Sequence, residues 1–68
     1  MYRLKVKEIA TQKGYNISQL SRKSDVEIKT VRRLFHNPTY AVGVDILDKI
    51  ALALEVDIAE LIESLPEK

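Results

Sequence analysis

The segment Gly14-Tyr15-Asn16-Ile17-Ser18-Gln19-Leu20-Ser21-Arg22-Lys23-Ser24-Asp25-Val26-Glu27-Ile28-Lys29-Thr30-Val31-Arg32-Arg33-Leu34-Phe35-His36 decides the fold. Gly14 supplies a left-handed residue that ends any helix before it. Asn16 suits an N-cap, because its side-chain oxygen can accept from a free N–H of the following turn. A short helix is expected over Ile17 to Ser24, with Leu20 inward and Ser21 kept small where another helix crosses. Asp25 falls in the turn, and aspartate tolerates the left-handed region better than most side chains, though less well than glycine. A further helix spans about Ile28 to His36. Asn37-Pro38 stops it, since the residue before proline avoids the helical region.

That last helix has two unlike faces. At ~100° per residue, Val31, Leu34 and Phe35 cluster on one side. Lys29, Arg32, Arg33 and His36 follow i, i+3, i+4, i+7 spacing on the other. Such a face can be a plain solvated surface. Here the cations are close together, no acid follows Glu27 in the helix, and a short helix precedes it across a tight turn. A basic amphipathic helix can also lie on a membrane, but Val31, Leu34 and Phe35 are needed for the core.

Outward from this segment the helical pattern continues. Val6, Ile9 and Ala10 form an apolar stripe for a first helix of about Leu4 to Lys13. Gly43 is a candidate N-cap for a fourth helix, about Val44 to Leu54, with Asp45 and Asp48 near its positive end. Val44, Leu47, Ile50, Ala51 and Leu54 make its inward stripe. Asp57 and Glu60 read as a capping-box variant opening a fifth helix, Ile58 to about Ser64. Pro66 follows. Strand signals are weak: alternation is brief, at Tyr2 to Lys7, and no NG or DG dipeptide occurs. The expected fold is all-α, five short helices over residues 1–68 as one domain.

Charge is divided along the chain. Residues 1–36 hold nine Lys or Arg against three acids, a net of +6, and residues 37–68 hold two Lys against seven acids, a net of −5. One face for a polyanion and another for something else is the natural reading. Cysteine is absent and His36 is the single histidine, so neither a disulfide nor a multi-histidine metal site can form. No cluster of His, Cys and carboxylates, no Gly-rich phosphate loop and no nucleophile–base pair points to an enzyme or a cofactor. No run approaches the ~18 apolar residues of a membrane span. A cytoplasmic protein is expected.

A short helix, a tight turn and a second helix with a cationic outer face form the docking arrangement of a helix-turn-helix. The major groove of double-stranded DNA admits one helix, and Arg and Lys donate to guanine O6 and N7. Lys29 and Arg33 lie most directly opposite the core and are the expected base contacts. Arg32, nearer the rim, could reach a base or a phosphate. Ile28 could touch a thymine methyl or pack inward. Phosphate contacts are expected from the start of the second helix at Asn16 and Ser18, where free N–H groups and a positive dipole end are available. Arg22, Lys23, His36 and Asn37 could add to these. Lys5, Lys7 and Lys13 offer general electrostatic help.

Residues Gly14 to Ser21, Asp25-Val26, Thr30 to Leu34, and above all Leu47-Asp48-Lys49-Ile50-Ala51-Leu52-Ala53-Leu54-Glu55-Val56-Asp57 carry a family resemblance. The chain resembles, over about residues 4 to 63, the phage-repressor and Cro-like helix-turn-helix family, also called the XRE family. The fourth-helix stretch of that family usually reads like L..IA.ALGV. The resemblance implies five helices with the second and third forming the motif. It implies Ile17 and Ser18 at the phosphate-binding helix start, and Ile28, Lys29, Arg32 and Arg33 on the base-reading surface. Three departures stand out. Asp25 replaces the usual turn glycine. Ile28 occupies a position often held by a polar reader. Ala10 and Phe35 stand where many members pair an Arg with a Glu, and replacing both charges by apolar groups is often neutral or stabilising.

Members commonly dimerise on palindromic operators, and one 68-residue monomer covers one half-site. Leu52, outward on the fourth helix, with Ile46 and Ile62, could form a homodimer patch. The expected function is sequence-specific binding of double-stranded DNA as a small transcriptional regulator, most simply a repressor. The alternative is an antitoxin or adaptor of the same fold, with a toxin or regulator as protein partner.

Overall fold

The computed structural model describes residues 1–66. In chain order they form strand β1 (Tyr2–Leu4), helices α1 (Val6–Gln12), α2 (Ile17–Ser24), α3 (Ile28–His36) and α4 (Val44–Leu54), a 3-10 turn (Ile58–Leu61) and strand β2 (Ile62–Ser64). The bounds of α2, α3 and α4 are those that caps and periodicity predict. At both ends of the chain the structure departs from a five-helix bundle.

The expected fifth helix is a single 3-10 turn. Asp57 donates its N–H to the Glu60 carboxylate at 3.0 Å, so the turn is capped at its start. After Leu61 the backbone extends and pairs antiparallel with β1, in the register Tyr2↔Ser64, Arg3↔Glu63, Leu4↔Ile62. Leu4, expected at the start of the first helix, lies in that strand, and α1 begins at Val6. Four residues of helix gain few internal bonds against a costly nucleus. Pairing with β1 gives the backbone of this segment inter-strand hydrogen bonds instead. The two ends are further tied by Lys5 N–H donating to the Leu61 carbonyl at 2.7 Å. Arg3 clasps them. It meets Glu8 of α1 at 2.7 Å and Glu63 of β2 at 3.0 Å. The hydrogen bond to Glu63, then that to Glu8, raises the pKa of the guanidinium above its ordinary value.

The core draws on β1, all four helices and the 3-10 turn, and α4 contributes the most residues. Leu4, Val6, Ala10, Leu20, Val26, Val31, Leu34, Leu47, Ile50, Ala51, Leu54 and Leu61 are buried. Ile9, Phe35 and Ile46 pack against it half-buried. Ala10 and Phe35 are thus both apolar members of the packing, as their joint departure from a charged pair predicts. Val44 is the exception on α4: expected inward, it is 71% exposed. It is the first residue of the helix, and helical side chains lean toward the N-terminus, so it projects past the packed elements.

Candidate nucleic-acid interface

The turn between α2 and α3 sets the angle of the functional helix. Asp25 caps α2 with φ 57° and ψ 36°, in the left-handed region. Val26 follows, buried, and its N–H returns to the Ser21 carbonyl at 3.3 Å. The Ser21 hydroxyl donates to the Val26 carbonyl at 2.6 Å. Both backbone groups of Val26 are therefore held by one residue of α2. Val31 and Leu34 bury the inner face of α3. With that face fixed in the core, the opposite face must point outward.

An open groove follows that outer face. Glu27, Lys29, Thr30, Arg32, Arg33, His36, Asn37 and Tyr40 line it. The fold thus brings together five of the residues picked from sequence: Lys29, Arg32, Arg33, His36 and Asn37. All five are exposed. Among the described residues, no carboxylate lies within ion-pair reach of Lys29, Arg32 or Arg33. The ion pairs of Arg3 are internal to the fold, so the charge on α3 is left uncompensated, as a polyanion would need. Ile28 does not line the groove. It is 38% exposed at the start of α3, so part of its side chain is accessible and the larger part is covered.

The remaining candidates sit at α2. Asn16 closes a capping box with Gln19: its side-chain oxygen accepts from the Gln19 N–H at 2.8 Å, and Gln19 Oε1 accepts from the Asn16 N–H at 2.9 Å. The Asn16 amide N–H groups stay free to donate. Among the described residues the backbone N–H groups of Ile17 and Ser18 also have no acceptor, as expected of a first helical turn. Ile17 itself packs half-buried against the core, so only its backbone is available. Ser18 and Arg22 are exposed. Asn37 resembles Asn16 in its use of atoms. Its side-chain oxygen accepts from the Thr39 N–H at 3.3 Å and the Thr39 hydroxyl at 3.1 Å, leaving its amide donor unengaged.

Sequence reasoning missed Thr30 and Tyr40 as lining residues. Thr30 lies on the flank of α3, between its two faces. Tyr40 is in the loop after α3, where helical spacing says nothing. The one signal available was an aromatic residue four positions beyond a basic helix. Among the described residues no group of three or more His, Cys, Asp or Glu is placed to hold a metal. No described helix is long and apolar enough to cross a membrane.

Comparison with known proteins agrees with this geometry. A family model described as Cro/C1-type HTH DNA-binding domain matches residues 5–67, nearly the whole chain. No curated protein matches it. The match spans both helices of the motif, the α4 segment and the turn after it. The chain belongs to the Cro/C1-type helix-turn-helix DNA-binding domain family.

Proposed function

We propose that the chain is a sequence-specific regulator that binds double-stranded DNA with α3 in the major groove, and that it acts as a repressor by occupying its site. The observation that carries this reading is the exposed, unpaired cation face of Lys29, Arg32 and Arg33 on a helix whose other face is locked in the core. Lys29 and Arg33 supply base contacts, Arg32 a base or a phosphate at the rim, and Ile28 an apolar contact to a thymine methyl. Asn16, Ser18, Arg22, His36, Asn37 and the Ile17 N–H supply phosphate contacts that set register. A homodimer covers two half-sites about one helical turn, ~34 Å, apart. The exposure of Leu52 (72%) and Val44 on α4 favours a protein contact there.

The test is a fluorescence-anisotropy titration of duplexes selected from a random pool, and of unselected duplexes, at two salt concentrations. Sequence enrichment, a steep loss of affinity with salt, and loss of discrimination in Lys29→Ala/Arg33→Ala support the reading. A protein with no salt-sensitive affinity for any duplex overturns it.

A further inference from the structure

We infer that Tyr40 is a positioning residue for Arg33, holding its guanidinium in the plane in which it addresses a base; this rests on the base-reading role proposed for α3. The Arg33 guanidinium carbon lies 5.6 Å from the centre of the Tyr40 ring, over its face. Both side chains line the same groove. Arginine stacks on aromatic faces through its planar, weakly hydrated cation. A two-pronged donation to guanine requires that plane to be set in advance, because a long free side chain loses much rotational freedom on docking. Neither Lys29 nor Arg32 has an aromatic ring beneath it among the described residues.

The platform is itself braced. Tyr40 packs half-buried against the core. Its N–H returns to the Asn37 carbonyl at 3.1 Å. The Tyr2 hydroxyl of β1 reaches the carbonyls of Thr39 at 2.9 Å and Tyr40 at 3.1 Å. Leu4 N–H donates to the Pro38 carbonyl at 2.6 Å. The terminal strand thus fixes the loop from behind, and the loop presents a ring to the last turn of α3. The Tyr40 hydroxyl makes no hydrogen bond among the described residues. The ring, not the hydroxyl, carries the function, so phenylalanine should replace it.

The experiment compares wild type, Tyr40→Phe, Tyr40→Leu, Arg33→Ala and Tyr40→Leu/Arg33→Ala for the affinity ratio between selected and unselected duplex. Tyr40→Phe should keep the ratio. Tyr40→Leu should lower it about tenfold, the order of one base contact, with an unchanged salt dependence. In the Arg33→Ala background Tyr40→Leu should lower it no further. A retained ratio in Tyr40→Leu, or an equal loss with and without Arg33, overturns the assignment to Tyr40 and leaves base reading intact. A wild type that enriches no sequence overturns base reading and this inference with it. NMR of the wild type needs no variant to fold: the Arg33 δ-methylene protons should be displaced upfield by the ring current. Undisplaced resonances would exclude the stack.

Discussion

The Ser21 hydroxyl donates to the Val26 carbonyl at 2.6 Å, joining the body of α2 to the residue that leads into α3. The same turn bends through a left-handed Asp25, and the Val26 N–H returns to the Ser21 carbonyl at 3.3 Å. Ser21→Ala leaves a part-buried carbonyl without that donor. A loss of about 1 kcal/mol is expected. In a domain of this size that corresponds to roughly 4–8 °C in melting temperature. Circular dichroism melts check it. A Ser21→Ala protein that melts with the wild type would show that helix packing alone sets the turn.

Glu55 is the second non-glycine residue at positive φ, at 59°, and it ends α4. It stands where the family pattern L..IA.ALGV has its glycine. A side chain with a β-carbon is strained there, while glycine costs only unfolded-state entropy. Glu55→Gly is expected to stabilise the fold by up to about 1 kcal/mol. Asp25→Gly should gain less, because aspartate tolerates this region better than glutamate. Urea unfolding midpoints with an unchanged slope report both changes.

Legibility from sequence followed the range of the interactions. Three helices were readable to the residue, because a cap, a stripe and a stop are all local: Asn16, Leu20 and the Asp25 turn for α2, and Asn37-Pro38 for the end of α3. The β1–β2 pair was not. Three-residue strands give almost no periodic signal, and Arg3 meets Glu63 across sixty positions of chain. The brief alternation at Tyr2 to Lys7 was its only trace, and the Asp57–Glu60 cap pointed to a helix that lasts one turn. The basic face was legible because it repeats with the helix. Tyr40 was not, since its loop is placed by Tyr2 and Leu4 of β1, and neither contact follows from spacing.

Asn16 does two jobs with different atoms, and a single substitution separates them. Its oxygen caps α2 at the Gln19 N–H. Its free amide is proposed to face a phosphate. Asn16→Asp keeps a good cap and places a negative charge at a favourable helix end. Thermal stability should stay at or above that of the wild type. Affinity should fall by about tenfold on selected and unselected duplexes alike, since phosphate contacts carry no sequence information. Equal affinity of Asn16→Asp and wild type at low salt would remove α2 from the interface.

Leu52 is 72% exposed on α4, with Val44 about two turns back at 71%. Burying a leucine side chain on association is worth about 2 kcal/mol, so an exposed pair is a usable contact. Asp45, Asp48 and Glu55 are exposed on the same helix and its cap, against one lysine, Lys49. Two copies meeting there would bring like charges together, and pairing of Lys49 with an acid of the other copy would have to offset it. Leu52→Glu removes the apolar contact and adds to the repulsion, yet at so exposed a position it should leave the melting curve within about 0.5 kcal/mol. If copies associate through α4, the variant binds a two-half-site duplex without cooperativity and a single half-site as the wild type does. If cooperativity survives, the dimer contact lies elsewhere on the chain. Raising the salt tests the charge argument: wild-type association through this face should strengthen as the acidic repulsion is screened, opposite in sign to the response of the DNA face.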